Sequence, residues 1–282
     1  MKFRVWSTVV DAFDYCWRER AAMVRFGWIP VLVVMAVTII LEAMGMGKSM
    51  SADMNDPRAQ AMMFIVGIIQ AIVFLSVSVT WYQKVVLGDE AAARRPVFAL
   101  GRLEIRMFGW QLVVIAGLLV AGVIGAFAII FIYGLLAARG QEIAAVALAI
   151  ILGAALLLVL GFAAMRFAMV LVLVALDKPV HMRDAWRLTN GVGWRLVGAV
   201  ALTTIGGAIL GVVCHLGVLV IAMIIGIFLG TSADQVTPYL DAIVTSVTGL
   251  LIFLVGATVF GVVYRMVTTH AETRLQTDAE PI

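Results

Sequence analysis

A single arginine, Arg166, lies inside one of the most apolar stretches of this 282-residue chain, and ten apolar residues follow it without interruption. An arginine at the centre of a membrane helix costs about 2.5–3.5 kcal/mol on insertion scales, so its position requires a compensating interaction. One compensation is a side chain that reaches the membrane interface, or that pairs with Asp177 or with a helix-end carbonyl. The other is recognition, because a guanidinium can donate two parallel hydrogen bonds to the phosphate of an anionic lipid.

Four other arginines lie within a few residues of the inner ends of predicted membrane helices. If Arg166 contacts a lipid phosphate, these arginines are expected to line the same headgroup region. We refer to the five residues together as the basic collar and predict them as lipid phosphate contacts: Arg25, Arg106, Arg166, Arg195 and Arg265.

The remaining reactive side chains form no recognisable catalytic or metal-binding pattern, so we expect no catalytic residues, no cofactor and no metal. His215 follows Cys214 without a second histidine or an acidic residue at metal-ligand spacing, which favours a packed, hydrogen-bonded core histidine. Cys16 and Cys214 are predicted at different depths and should not form a disulfide. The sequence has no phosphate-cradling loop, zinc-protease motif or nucleophile elbow. The acidic residues that could serve as a general acid or base have no evident partner: Glu42, Asp177 and Asp241.

Residues 44–63 contain six of the fifteen methionines. Thioether ligands suit Cu(I), and the short spacings Met44/Met46 and Met50/Met54 are compatible with such a site. The alternative is that methionine fills irregular helix ends and a loop, since its flexible side chain adapts to uneven spaces.

Composition places the chain among helical membrane proteins. It is 63% hydrophobic and 13% charged, whereas soluble domains are roughly 45–50% apolar and about 25% charged. Runs of about 20 apolar residues predict membrane-spanning helices, and these runs lack the polar–apolar alternation of β-barrel strands. We predict an all-α integral membrane protein with six transmembrane helices, at residues 27–46, 61–82, 108–135, 143–176, 196–230 and 242–264.

Two of these apolar runs are longer than a helix needs to be to cross the bilayer. Residues 143–176 would form a helix of about 51 Å against a hydrocarbon core of about 30 Å, and residues 196–230 are similar. Neither run has a polar turn in its middle, which favours one tilted or kinked helix over two short spans. Breaks are expected near Gly161 and Arg166, and at Gly206–Gly207.

The basic residues predict the orientation. With the amino terminus inside, 17 of the 20 Lys and Arg residues lie in cytoplasmic segments, and only Lys48, Arg58 and Arg139 lie outside. Basic residues favour the cytoplasmic side, so both termini are expected there. The net charge of +3 thus reflects orientation, and we expect no nucleic-acid partner.

A Gly-Trp pair occurs three times, at 27–28, 109–110 and 193–194, each where an outward helix is predicted to leave the cytoplasm. Tryptophan is favoured at the interface, so Trp28, Trp110 and Trp194 are predicted interfacial anchors. The glycine would let the chain turn from lying along the membrane to crossing it. The repetition indicates three helical hairpins, each an outward and a return helix.

Two cytoplasmic segments are predicted amphipathic helices. In residues 1–26, Phe3, Trp6, Val10, Phe13 and Trp17 form one helical stripe, typical of a helix in the membrane interface; packing on cytoplasmic loops of the same chain is the alternative. In residues 181–191, before the fifth span, Met182, Ala185 and Trp186 share a face and Asn190–Gly191 predicts a helix stop. The resulting division is an interfacial helix at 1–26, a membrane domain at 27–264 and a cytoplasmic tail at 265–282.

Four short segments have a distinctive character: DAFDYCWRER (11–20), VVLGDE (85–90), FAMVLVLVALDKP (167–179, directly after Arg166) and DAWRLTNGVGWRL (184–196). Across most of residues 1–270 the chain resembles the membrane domain found with some bacterial glycerophosphoryl diester phosphodiesterases, and its stand-alone inner-membrane relatives. The phosphodiesterase activity of that family belongs to a separate soluble barrel domain. The longest non-membrane segment here has about 25 residues, so the resemblance implies no such activity.

These observations favour a non-enzymatic protein of the bacterial inner membrane that interacts with lipids, including anionic phospholipids, or scaffolds a membrane protein partner. Two alternatives remain: a small-solute transporter or channel, for which His215 near Gly206–Gly207 is the one candidate, and a membrane-embedded lipid-modifying enzyme.

The topology is testable by cysteine labelling or reporter fusions. Residues near 95, 185 and 275 should be accessible from the cytoplasm, and residues near 53, 139 and 234 from outside, because of the distribution of basic residues. An external location for residue 185 would contradict six spans, since it requires another crossing within the fourth or fifth run.

Overall fold

The computed structural model describes residues 5–43, 57–96, 100–230 and 232–279, and within these ranges all regular secondary structure is helical. Six of the helices are long and apolar enough to cross a membrane: α2, α3, α5, α6, α8 and α9. The predicted class, an all-α integral membrane protein with six candidate spans, is confirmed. The helices are α1 (Val5–Arg18), α2 (Arg20–Ala43), α3 (Pro57–Leu87), α4 (Asp89–Ala93), α5 (Arg102–Ala137), α6 (Glu142–Ala175), α7 (Met182–Leu188), α8 (Gly193–Leu229) and α9 (Ala233–Ala279).

The two over-long runs are each one helix. Helix α6 has 34 residues and α8 has 37, and helical structure continues through both Gly161–Arg166 and Gly206–Gly207. At 1.5 Å per residue these helices measure about 51 Å and about 55 Å, well beyond a hydrocarbon core of about 30 Å. Each must therefore tilt strongly or project beyond the hydrocarbon.

Helix boundaries differ from the predicted division at both ends of the chain. Helix α1 ends at Arg18 and α2 begins at Arg20, so the interfacial helix is shorter than 1–26. Backbone hydrogen bonds from Glu19 N to Tyr15 O and from Met23 N to Glu19 O cross the junction. At the other end α9 extends to Ala279, so most of the predicted tail is helical. Phe3 and most of the methionine-rich segment, residues 44–56, lie outside the described residues.

The packed core lies at one end of the helix assembly. Its members come from α1, the second half of α3, the end of α6, the start of α8 and α9, with Trp81, Met169, Leu196 and Leu254 among the most buried. By contrast, none of the most apolar 18-residue stretch of α5 is buried, whereas half of that of α9 is. Helices α5 and α6 pack along each other, as do α8 and α9. Their outer lengths therefore present apolar side chains that a bilayer would cover. The arrangement as three membrane hairpins stays a prediction.

The glycines of the three Gly-Trp pairs have different structural roles. The prediction that the chain turns at each of them is therefore wrong. Gly27 and Gly109 lie inside α2 and α5, several residues after these helices begin, and only Gly193 begins a helix. At Gly27 the reason is close packing, because a Cβ atom there would overlap the Leu250 side chain of α9. The turn before α8 is made by Gly191, whose φ of 79° suits glycine. The sequence could not distinguish a glycine that allows close packing from a glycine that forms a turn, because both roles require glycine.

A buried hydrogen-bond network joins α1, α3 and α9. Trp81 Nε1 donates to Thr258 Oγ1 at 2.9 Å, Thr258 Oγ1 donates to Leu254 O at 2.8 Å, and Cys16 Sγ lies 3.3 Å from Thr258 Oγ1. Burial raises the pKa of the Cys16 thiol, which keeps it protonated and able to donate to Thr258. Thr258 is thus the shared partner of two buried groups from other helices.

Replacing Thr258 by valine should lower the free energy of unfolding by about 1–2 kcal/mol, because the buried Trp81 N–H loses its acceptor. Thermal or SDS-induced unfolding of the purified protein measures the change. Thr204→Val is the matched control, since exposed Thr204 donates to Val200 O of its own helix and, among the described residues, to no other helix. Equal destabilisation by both variants would show that the network between helices contributes nothing.

Candidate functional site

The first polar cluster surrounds Lys84, in the last turn of α3. Its ammonium lies 2.9 Å from Glu19 Oε2, at the α1–α2 junction, and forms a second ion pair with Asp89 at the start of α4. Only 5% of the Lys84 side chain is exposed, and a buried ammonium requires opposite charges close by. Gly88, with φ of 93°, makes the turn between α3 and α4 that brings Asp89 back to Lys84. We call Lys84, Glu19 and Asp89 the Lys84 cluster.

A cavity of about 310 Å³ adjoins the Lys84 cluster. Tyr15 lies at one side with its hydroxyl 3.5 Å from Lys84 O, and Arg265 of α9 lies at another, where Nη1 donates to Val85 O at 3.4 Å. Burial, ahead of the neighbouring charges, raises the pKa of the Tyr15 phenol, so this hydroxyl stays protonated and can donate. The cavity therefore presents cationic, anionic and neutral polar groups together. Its lining comprises Tyr15, Glu19, Asp89, Arg265 and residues 84–88.

The second polar cluster surrounds Arg166. Its Nε donates to Thr189 Oγ1 at 2.7 Å and its Nη2 donates to Trp186 O at 2.8 Å, so it holds the carboxyl end of α7. The guanidinium carbon lies 3.8 Å from the ring centroid of Trp186 and 5.3 Å from that of Phe162, both favourable cation–π positions. Gly193 allows this packing, because a Cβ atom there would lie 3.1 Å from the Phe162 ring. Arg166 thus has a helix-end carbonyl as a partner, whereas Asp177 pairs elsewhere.

The other arginines of the basic collar have separate surroundings. Arg106 Nη1 lies 3.3 Å from Asp177 Oδ1 and its Nη2 donates to Lys178 O at 3.0 Å. Arg25 and Arg195 are exposed, and the Arg25 guanidinium lies 5.7 Å from the Phe26 ring centroid. Arg265 borders the cavity. Arg166, Arg106 and Arg265 thus have three separate sets of partners.

The predicted interfacial tryptophans divide into two kinds. Trp28 and Trp194 are exposed, and Trp194 stacks on Phe162 with ring centroids 4.4 Å apart. Trp110 is half-buried and packs against the core. An outward-facing indole suits a membrane anchor, so the geometry fits that role for Trp28 and Trp194 better than for Trp110.

The structure pairs two residues that the sequence left without partners. His215 Nε2 of α8 lies 2.9 Å from Asp241 Oδ1 of α9, and His215 Nδ1 lies 2.9 Å from Gly211 O. Because a carbonyl oxygen only accepts, Nδ1 carries a proton. The expected core location of His215 is wrong, since 47% of its side chain is exposed. Sequence spacing could not reveal the pair because it joins antiparallel helices.

The Lys84 cluster was not predicted from the sequence. Its signal was a lysine in the last turn of an apolar run, followed within five residues by Gly88 and Asp89. Glu19 could not have been added, because it comes from a segment 65 positions earlier. Among the described residues there is no group of three His, Cys, Asp or Glu side chains that could hold a metal ion.

Comparisons with known proteins found no matching family model, no matching curated protein and no matching solved structure.

Replacing Arg166 by glutamine should loosen α7, because both hydrogen bonds to its carboxyl end are lost. Amide hydrogen exchange in residues 182–192 should accelerate about tenfold. Arg166→Lys should restore little protection, since an ammonium cannot reproduce the planar donors and the ring stacking. Arg187→Gln, an exposed change within α7, is the control. Unchanged exchange in Arg166→Gln would show that Arg166 does not hold α7.

Proposed function

We propose that this protein is a non-enzymatic protein of the bacterial inner membrane that engages the lipids of the inner leaflet through α1. The observation that carries the proposal is the exposure of the aromatic stripe of α1. Trp6 is 70% exposed and Trp17 is 72% exposed, although both are large apolar side chains. Exposed aromatic residues beside membrane helices are typical of an interfacial anchor.

Helix α1 has three distinct faces at about 100° per residue. The buried face carries small side chains and packs on α8, α9 and α2. The aromatic stripe lies roughly 115° away, and a polar face with Asp11, Asp14 and Arg18 lies beyond it. One orientation thus lets the helix contact the spans, the lipid and water at once. The buried residues are Thr8, Val9, Ala12 and Cys16, and the exposed stripe comprises Trp6, Val10, Phe13 and Trp17.

Basic side chains near α1 suit anionic phospholipids. Arg18 and Arg20 follow the stripe, with the Arg20 guanidinium 5.6 Å from the Trp17 ring centroid, and exposed Arg25 lies one turn further. An anionic leaflet attracts such residues by about 1 kcal/mol each. Three collar arginines have exposed side chains, Arg25, Arg195 and Arg265, and they fit the predicted phosphate contacts better than Arg166, whose side chain is buried.

Three of the segments that carry the resemblance to the membrane domain of bacterial glycerophosphoryl diester phosphodiesterases contribute to the two polar clusters. The leader segment supplies Tyr15 and Glu19, and VVLGDE supplies Asp89, to one cluster. The segment DAWRLTNGVGWRL supplies Trp186 and Thr189 to Arg166. On the sequence resemblance of these segments we propose that the chain is a stand-alone relative of that domain.

A small-solute transporter or channel is the second candidate, favoured by the His215–Asp241 pair. Ionisable residues flanked by apolar helix are typical of transport sites. Transporter sites are commonly formed by broken helices, however, and α8 and α9 are continuous at these residues. We therefore prefer lipid engagement.

Brominated phospholipids test the location of α1, since they quench tryptophans that contact acyl chains. In bilayers brominated near the headgroup, Trp6→Phe and Trp17→Phe should each reduce the quenchable fluorescence. Trp81→Phe should not, because the Trp81 ring is fully buried. If the fluorescence of Trp6 and Trp17 escapes quenching, α1 lies outside the lipid, and the stripe would be free for a protein partner, as in a scaffold.

A further inference from the structure

The cavity beside the Lys84 cluster is lined by two cations and two carboxylates, Lys84, Arg265, Glu19 and Asp89. A site for a simple anion would carry an excess of positive charge, and a site for a cation an excess of carboxylates. Balanced charges lining one cavity favour a ligand that carries both signs.

Each of the two carboxylates keeps an oxygen atom that can accept a hydrogen bond after it has paired with Lys84. The lysine contacts one oxygen of each, Glu19 Oε2 and Asp89 Oδ1. Each carboxylate has two oxygens and about four lone-pair sites. Among the described residues neither Glu19 Oε1 nor Asp89 Oδ2 has another donor, and Asp89 is 79% exposed. A ligand ammonium can therefore approach these oxygens without displacing Lys84.

Arg265 retains donors on the other side. Its hydrogen bond to another described residue is that of Nη1 to Val85 O, at a long 3.4 Å. Within the described part of the chain, Nε and Nη2 are left to form the parallel donor pair that suits a phosphate.

We propose that this cavity binds a phosphoethanolamine group, with its primary ammonium at Glu19 and Asp89 and its phosphate at Arg265. The volume of about 310 Å³ is at the lower end of the range for ligand pockets and suits a headgroup without its acyl chains. The cavity adjoins α1 and the end of the α3 span, so a phospholipid can leave its chains in the bilayer.

The lining distinguishes this group from other headgroups. A quaternary ammonium cannot donate hydrogen bonds and is bound by several aromatic rings, whereas Tyr15 is the one aromatic residue of the lining. A phosphatidylglycerol headgroup offers no cation to the two carboxylates. Phosphatidylethanolamine is therefore selected over phosphatidylcholine and phosphatidylglycerol.

Native mass spectrometry of the full chain in mixed micelles tests this selectivity, with the three phospholipids present in equal amounts and with identical acyl chains. Retained phosphatidylethanolamine should exceed each competitor by about tenfold. Asp89→Asn and Arg265→Gln should each reduce it to the level of the competitors, with the thermal transition showing that the variants are folded. Asp89→Asn leaves Lys84 paired with Glu19.

Arg187→Gln and Asp177→Asn are matched controls, because they remove a cation and a carboxylate that do not line the cavity. Both should leave the selectivity intact. Equal retention of the three lipids by the unmodified protein, or undiminished selectivity in Asp89→Asn and Arg265→Gln, overturns the proposal.

A competition experiment with a soluble ligand identifies whether the bound phosphoethanolamine group belongs to a lipid or to a free molecule. Displacement of the lipid by an equal concentration of soluble phosphoethanolamine assigns a free ligand, and resistance to it assigns the lipid; either result supports the recognition of phosphoethanolamine. The inference rests on the proposed lipid engagement, but bromolipid quenching of Trp6 and Trp17 does not depend on headgroup selectivity. The two proposals can thus fail separately.

Discussion

The cost of removing two cations from water governs how the packed end of this molecule is built. Lys84 and Arg166 are carried on apolar helices and are almost fully buried, so each must have partners that replace its hydration. Lys84 obtains carboxylates from the α1–α2 junction and from α4. Arg166 obtains a hydroxyl and a carbonyl from α7, and aromatic rings around it. Helices α4 and α7 are thereby each held to a span by a buried cation, and so is the junction that follows α1.

The packing of apolar side chains also differs between the two ends of the molecule. Core side chains gather where α1, α3, α6, α8 and α9 meet, whereas α5 and much of α6 and α8 expose apolar surface. In water that surface would be unfavourable, but in a bilayer the acyl chains cover it, so no protein partner is required. The polar clusters therefore lie where the protein is most tightly packed, and their geometry is held by rigid helices.

The two clusters differ in chemical capacity. Arg166 faces aromatic rings and a helix end, and its Nε and Nη2 donate to groups within the protein. The Lys84 cluster opens into a cavity, with carboxylate oxygens and the Arg265 guanidinium at its edge. A closed cluster contributes to the fold, while an open one can exchange a ligand with the bilayer surface. Arg166, the cation that is most conspicuous in the sequence, is thus bonded to groups of the protein itself.

Composition and apolar run length by themselves determined the membrane class, the six candidate spans and the single-helix nature of residues 143–176 and 196–230, because these are local properties of the chain. The spacing of Trp6, Val10, Phe13 and Trp17 likewise defined the aromatic stripe. Only the tertiary structure decided that this stripe faces outward, that Gly27 serves packing against Leu250, and that Lys84 meets Glu19 while His215 meets Asp241. Each of these depends on how helices distant in sequence align, and the periodicity of a single helix carries no information about which neighbour its faces meet.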